Sequence, residues 1–453
     1  MITSIRIRRL NGEYDITFPF KNGHCIIVGP NGAGKSTALQ IMAYVLGRQW
    51  SYLEKQRFES VEVYSGEDCA SISREACAAV AENRLGPSRF ARIIQKLLEN
   101  DQLDEFTTAD LSKPDVMQLF RYLSSSTVDL RQAQKFAIST TRNKGATAEV
   151  AAFERKISSF GVPMTRYFPT SRRVEVELNK LASRVPEYMR DEMTRSLSKS
   201  VSTNYYDEVV RFGMEDIEQI LREFELAVQE ESRNKFNVMM TQLLKEMANQ
   251  EAISITELRE HNITSDQIRR VLLRIEEGVL SVDERDGIVA MITDMSKPQK
   301  GGGHPPFHKR WLSHFFVKLL NVDLELQRKE APVMNLVNTL QKYLNPKTAR
   351  YDIENYKFSI LSTSDEDVKL KELSSGEKQL VSLLAMLEFS GKECNILIDE
   401  PELSLSVPWQ STVLEDVVRS SSCKQLIAVT HSPFIFENSL SDSVVDFIEC
   451  IER

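Results

Sequence analysis

The sequence predicts an α/β fold: a mixed sheet with an antiparallel β subdomain, interrupted by a large helical insertion. Three observations carry that expectation. Near the N-terminus, alternating apolar residues give way to an apolar strand, a glycine-rich loop and a helix. From about residue 366 onward, strand and helix patterns alternate as in a parallel sheet. Between these regions, from about 177 to 345, apolar residues recur at helical spacing.

In chain order, Ile5, Ile7 and Leu10 alternate, as do Tyr14, Ile16 and Phe18, and Asn11-Gly12 between them predicts a hairpin turn. Residues 24–28 read as a short buried strand running into the glycine-rich loop, 36–46 as a helix and 58–64 as another strand. From about 71 to 160 the pattern is helical with breaks, as in Phe90, Ile93, Ile94, Leu97 and Leu98. Tyr167-Phe168-Pro169-Thr170 ends a further strand-like piece. Two apolar stripes, Ile217, Ile220, Leu221, Phe224, Val228 and Ile268, Val271, Leu272, Ile275, Val279, predict helices packed inside a domain. Gly301-Gly302-Gly303-His304-Pro305-Pro306 reads as a solvated loop or linker. Strand character returns at 351–361 and 366–370. The expected division is therefore 1–175 with a helical insertion at about 65–160, a helical domain at 176–345, and 346–453.

Composition narrows the function classes. The 453 residues, 42% hydrophobic with a formal charge of -8, suit a globular protein with no global basic field for wrapping nucleic acid. A local basic patch stays open. No apolar run approaches the roughly 18 residues of a membrane span, and the N-terminus lacks the apolar core of a signal peptide. The six cysteines show no paired spacing, and Cys25, Cys394 and Cys423 lie in or beside apolar runs, which predicts reduced thiols in a cytoplasmic protein.

Gly29-Pro30-Asn31-Gly32-Ala33-Gly34-Lys35-Ser36 fits the phosphate-binding loop pattern, with a strand before it and a helix after it. Small residues let backbone N–H groups close around phosphate oxygens at the positive end of a helix. The expected nucleotide-binding residues are Asn31, Gly32, Ala33, Gly34, Lys35, Ser36 and Thr37, with Lys35 on the β and γ phosphates of ATP and the Ser36 hydroxyl on Mg²⁺. A glycine turn without such a role is the competing reading. Further along, Asn395-Ile396-Leu397-Ile398-Asp399-Glu400 is an apolar strand ending in two acids, which adjacent strand positions direct to opposite sides. Asp399 is expected to join Ser36 in holding Mg²⁺, and Glu400 to act as the general base toward the attacking water. An acidic helix cap is the alternative.

Leu373-Ser374-Ser375-Gly376-Glu377-Lys378-Gln379 precedes Asp399, and here the chain resembles the ABC-type ATPases, in the Gly-Glu-Lys form of SMC-like and OLD-like heads. Ser375 stands where many members of that family have glycine. The resemblance implies a phosphate-loop ATPase of the ABC head type, in which Ser374, Ser375, Gly376 and Glu377 start a helix that caps the ATP bound to another subunit. The same Ser…Glu spacing is a plain helix N-cap, and both readings hold together. Thr430-His431-Ser432 matches the family's switch histidine, a second catalytic candidate beside Glu400, and Pro401-Glu402-Leu403-Ser404-Leu405-Ser406 resembles its D-loop, which crosses the dimer interface. The resemblance covers about 1–64 and 345–453, so the first and last segments become the two halves of an ATPase head. No glutamine loop can be placed; 167–175 is similar to a segment at that point in stand-alone bacterial ATPases, where Arg172 or Arg173 would reach phosphates or the partner.

Lys35 and Ser374 are 339 residues apart (374 − 35), a split that resembles SMC, RecF-like and OLD-like heads and argues against the transporter subunits. OLD-like nucleases carry a Toprim domain after the ATPase, and the 22 residues after His431 (453 − 431) leave no room for one here. The chain is similar to the ATPase subunits of bacterial antiphage systems such as PARIS and Septu. That likeness implies a homodimer or higher homo-oligomer joined through head-to-tail ATP sites, a separate nuclease or Toprim-like effector protein and a phage protein as trigger, with no membrane. The alternative is a RecF-like or SMC-like DNA-binding ATPase in repair or recombination, with Arg166, Arg172, Arg173, Lys180, Arg184 and Arg190 as its basic patch; a third is an assembly scaffold ordered by ATP. Direct binding of DNA or RNA is left open.

Overall fold

The computed structural model describes residues 1–84, 108–109, 134, 144–170, 205–208, 214–249, 264–274, 281–296 and 306–452. The chain forms two compact units, Met1–Arg211 with Gly391–Arg453, and Phe212–Ser390. The stripe at 90–98, the end of the second stripe at Ile275 and Val279, the glycines at 301–303 with His304 and Pro305, and 171–175 lie outside the described residues.

The first unit begins with β1 (Ser4–Leu10), β2 (Tyr14–Pro19), β3 (His24–Val28), α1 (Lys35–Leu46), α2 (Trp50–Leu53), β4 (Ser60–Ser65), β5 (Asp68–Ser73) and α3 (Arg74–Arg84), then α4 (Lys144–Ser159), β6 (Met164–Phe168) and β7 (Tyr206–Glu208). The second unit holds α5 (Met214–Ala248), α6 (Ser265–Leu273), α7 (Val282–Ser296), α8 (Phe307–Leu340), β8 (Thr348–Asp352), β9 (Lys357–Leu361) and α9 (Ser375–Glu388). The chain returns to the first unit with β10 (Cys394–Asp399), α10 (Val407–Arg419), β11 (Cys423–Val429) and β12 (Val444–Asp446).

The expected α/β class is what the first unit shows. An antiparallel sheet runs β2-β1-β4-β5, and a six-stranded sheet runs β12-β3-β11-β10-β6-β7 with every pairing parallel. Asn11 and Gly12 both take positive φ, 57° and 85°, as the hairpin turn requires. Ile7 and Leu10 are three apart yet both fully buried, because a bulge between them, with Arg9 at φ 48°, resets the pleat. One strand escaped the sequence reading. Residues 68–73 pair with β4 rather than beginning the helical stretch, and Ala70 and Ile72 point inward while the turn is made by Gly66 at φ 65°. Two inward residues are too few to register a period of two. At 366–370, likewise, the expected strand reduces to one bridge, Leu361 with Asp367, followed by a 3-10 turn at Leu370–Glu372.

In a parallel sheet all carboxyl ends lie on one edge. Here the ends of β3, β10, β11 and β12 are adjacent there, the usual place for a ligand in such folds. The core below them is apolar, with Ile27, Leu397, Ile427 and Val429 essentially inaccessible. All six cysteines are free, and burial pushes the Cys423 thiol up to about 12.

The second unit is helical around Ile268, Val271, Leu272, Ile292, Phe316 and Leu326. At its centre Arg274 on the end of α6 donates to Glu330 at 2.8 and 2.9 Å and to Asp323 at 2.6 Å, with all three side chains 1% exposed or less. Tyr351 donates to the same Glu330 at 3.3 Å, tying β8 to α8. Removing one member strands a buried charge. Glu330→Ala is therefore expected to destabilise this unit by about 3–5 kcal/mol, read as a lower urea midpoint. Arg269→Ala breaks only the exposed pair with Asp286 and is expected to shift stability by less than about 1 kcal/mol.

Candidate nucleotide site

β3 ends at Val28, and the chain turns through the glycine-rich loop into α1, whose first residue is Lys35. Two glycines are required by geometry. A Cβ on Gly29, at φ 151°, would come within 3.0 Å of the Phe447 Cβ; one on Gly34, at φ 99°, would sit 3.2 Å from the Asn11 amide. Tyr14 Oη donates to the Ala33 carbonyl at 2.6 Å and pins the loop to the hairpin. No side chain caps α1 and its first turn holds no acid. Its leading N–H groups, on Gly34, Lys35, Ser36 and Thr37, are thus presented to an anion. Asn31 and Gly32 are exposed at the loop tip.

Lys35 is only 4% exposed, and its ammonium donates to the carbonyls of Gly29 at 2.8 Å and Pro30 at 2.7 Å. Burial lowers its pKa, against the opposing pull of Asp399, Glu400, Asp446 and Glu402. Four carboxylates therefore surround one desolvated cation. The Ser36 hydroxyl donates to Asp399 Oδ1 at 3.0 Å, joining the start of α1 to the end of β10. Burial raises the pKa of Asp399; Thr170, whose buried hydroxyl lacks a hydrogen bond of normal geometry, and Ser36 oppose the rise, and the negative charge of Glu402 adds to it. Glu400 follows at φ 50°, its N–H donating to the Val429 carbonyl at 2.9 Å. Its pKa is raised by burial, then by Asp399 and Glu402. His431 Nε2 stands 4.0 Å from Glu400 Oε1.

Lys35, Ser36, Asp399, Glu400 and His431 are thus brought together at one edge of the parallel sheet. A divalent cation fits this donor set. Ser36 and Asp399 supply hard oxygens 3.0 Å apart, and burial, with the neighbouring carboxylate charge adding to it, raises the pKa of both Asp399 and Glu400, so a cation here would relieve that crowding. The signature residues lie in the other unit. Ser374 caps α9: its hydroxyl accepts from the Glu377 N–H at 3.4 Å, and its N–H donates to Glu377 Oε2 at 2.8 Å. Ser374 and Ser375 are exposed, whereas Gly376 and Glu377 are buried. Lys347 donates to both Glu377 oxygens, at 2.7 and 2.9 Å. Burial opposes ionisation of Glu377, but Lys347 and the Ser374 N–H outweigh it and hold its pKa below the ordinary value. Glu377 thus builds the turn, with its charge neutralised by Lys347, and leaves the serines facing outward.

The sequence reading assigned no role to Tyr14, Thr170, Lys347 or Glu402. Tyr14 read simply as an inward strand residue, and no local pattern marks contacts made 19 to 30 positions away, as by Tyr14, Lys347 and Glu402, or from Thr170 to Asp399. Of the basic patch, Arg166 lies buried within β6, between β10 and β7, and so is not part of a solvated face. Arg172, Arg173, Lys180, Arg184 and Arg190 lie outside the described residues.

Among solved structures, the chain is similar to an Smc head bound to the C-terminal winged-helix domain of ScpA, at 11% identity and a TM-score of 0.35, covering 98% of this chain and 93% of that one. It is also similar to a Pyrococcus furiosus Smc head with an extended coiled coil, bound to the C-terminal domain of ScpA, at 12% identity and a TM-score of 0.34, covering 98% and 95%. No curated protein matches the sequence. The model of the AAA ATPase domain matches residues 1–436, nearly the whole chain, and the protein belongs to that family of ATPases.

Proposed function

We propose that this chain is an ABC-type ATPase that binds and hydrolyses ATP between two copies of itself, and that it serves as the cytoplasmic sensor and scaffold subunit of an antiphage complex controlling a separate toxic nuclease. The observation that carries the ATPase part is the meeting of Lys35, Ser36, Asp399, Glu400 and His431 at the carboxyl edge of one sheet. The exposed serine turn on the other unit supports the head-to-tail part, because its capping box engages the N–H groups of Ser374 and Glu377 and leaves those of Ser375 and Gly376 for a second triphosphate. The antiphage part rests on the resemblance of the whole architecture to the ATPase subunits of such systems.

On this reading the N–H groups of Gly34 to Thr37 receive phosphate oxygens, and the Lys35 ammonium exchanges its two carbonyl partners for the β and γ phosphates. Ser36 and Asp399 would hold Mg²⁺, which when bound offsets charge on the β and γ oxygens. Glu400, with a raised pKa, takes the proton of the attacking water. His431 faces Glu400 from the neighbouring strand end, where it senses the terminal phosphate.

The test has two arms. Mass in solution is measured with and without ATP and Mg²⁺, with a dimer or larger assembly expected only with nucleotide. The chain is then expressed with the reading frame encoded beside it and challenged with phage. Protection that vanishes in Lys35→Ala supports the defence role; protection that persists in Lys35→Ala, or no protection at all, removes it. ATP-dependent DNA binding with a steep salt dependence would favour the repair reading instead.

A further inference from the structure

Pro401-Glu402-Leu403-Ser404-Leu405-Ser406, the segment after Glu400, is tied to the switch segment Thr430-His431-Ser432 once directly and once through Gln410. Glu402 Oε1 accepts the backbone N–H of His431 at 2.7 Å. Gln410, in the first turns of α10, donates through Nε2 to the Leu405 carbonyl at 2.9 Å and accepts the Ser432 hydroxyl through Oε1 at 2.6 Å. Both segments depart from regular strands. Glu400 and Ser404 carry positive φ, 50° and 66°, and Ser432 N–H folds back onto Thr430 Oγ1 at 3.0 Å. The His431 imidazole is itself exposed and approaches Glu400 only to 4.0 Å, so its peptide, not its ring, is what the fold holds.

The second oxygen of Glu402 is a physical anomaly. Oε2 is buried and has no hydrogen-bond partner, in a site where Asp399 and Glu400 already crowd negative charge. A buried acceptor left unpaired destabilises the fold. A residue kept only for stability would not be a carboxylate here.

We infer that Glu402 is a positioning residue for hydrolysis: by accepting the His431 N–H it sets the switch histidine against Glu400, and it links the D-loop to that setting. The inference rests on the ATPase reading above and on a hydrolytic role for His431. A displacement of 401–406, as when another copy docks on it, is transmitted through Glu402 to the His431 peptide while the phosphate loop stays in place. Glu402 thus acts on turnover rather than on nucleotide affinity.

The test compares Glu402→Ala, Glu402→Gln, His431→Ala and the double variant Glu402→Ala/His431→Ala in the full chain. Glu402→Ala is expected to lower kcat about tenfold to a hundredfold with the KM for ATP within about threefold of the parent. Glu402→Gln keeps an acceptor oxygen and recovers most of that loss. The double variant matches His431→Ala alone, because both changes act through one group. Thermal melting of Glu402→Ala is expected to change little, since the variant removes an unpaired buried oxygen together with the acceptor of one backbone hydrogen bond. In protein ¹⁵N-labelled at its six histidines, one backbone amide proton moves upfield in Glu402→Ala but not in Glu402→Gln. Multiplicative losses in the double variant, a Gln variant as poor as Ala, or an unmoved amide would each overturn the inference. A His431→Ala chain with full activity overturns it as well, whereas the ATPase reading itself falls only if wild-type protein hydrolyses no ATP.

Discussion

Glu400→Gln is expected to lower the rate of ATP hydrolysis by about 10²–10⁴-fold, the span a positioned general base supplies, while ATP binding is retained. The carboxamide fills the same space and keeps an acceptor oxygen, but it cannot take a proton from water. Binding is retained because the groups that meet the phosphates, the loop N–H groups and Lys35, belong to β3 and α1, not to Glu400. One negative charge also leaves a site where three carboxylates already crowd, so affinity for the nucleotide is expected to hold or rise. Closure by ATP without hydrolysis then accumulates the nucleotide-bound assembly, visible as a long-lived species by size exclusion. The pH profile gives an independent check. Burial and the charges of Asp399 and Glu402 raise the Glu400 pKa, so in nucleotide-free protein the proton is released at higher pH than from a free glutamate. A group whose folded pKa lies above its unfolded value favours folding when protonated and loses that contribution as pH rises through the folded pKa. The wild-type apo chain is therefore expected to lose stability relative to Glu400→Gln as pH climbs through that range, in a melting series. An unchanged hydrolysis rate in Glu400→Gln would remove Glu400 from the mechanism.

Local chemistry made much of this site legible. The glycine-rich loop is one uninterrupted peptide whose expected phosphate contacts all fall to backbone N–H groups or to Lys35 and Ser36, so Gly29 to Ser36 could be picked out without knowing their surroundings. The same is true of Asp399 and Glu400, which end an apolar strand, and of Ser374 with Glu377, whose spacing is the capping box found at α9. The hairpin at Asn11-Gly12 was legible because positive φ at two consecutive residues has few solutions in side chains. What escaped had no local signature. Tyr14 on Ala33, Thr170 beside Asp399 and Glu402 on the His431 N–H are contacts between different elements, each made by a residue that also suits a strand or loop. Arg166 shows the reverse error: a basic residue among others reads as surface, but β6 runs between β10 and β7 and is buried at four successive positions, Arg166 among them. The bulge at Arg9 belongs to the same class, because pleat register is set by the partner strand and not by the residues alone.

Two inactive variants are expected to restore an ATP-dependent assembly when mixed, because a head-to-tail site draws its halves from different copies. Lys35→Ala loses the ammonium that the loop holds in readiness, and with it nucleotide binding. Ser375→Asp leaves binding intact but places an anion at the start of α9. That position is exposed, and an acid in the first turn favours the helix, so folding is not weakened. What it blocks is approach to a triphosphate on another copy, where like charges meet with little water between them. Neither variant should self-associate with ATP. In a mixture, the intact Lys35 of one chain faces the intact Ser375 of the other, while the opposite site carries both lesions. Adding Glu400→Gln to the Ser375→Asp chain stops the surviving site from hydrolysing its ATP. Capture of untagged Lys35→Ala protein by a tagged Ser375→Asp/Glu400→Gln chain, dependent on ATP and Mg²⁺, is the expected result. A site completed within one chain predicts the opposite, because each variant would then carry its own defect whatever it is mixed with. Absence of capture, with both proteins folded and the tagged chain binding ATP, would therefore replace the shared site with a self-contained one.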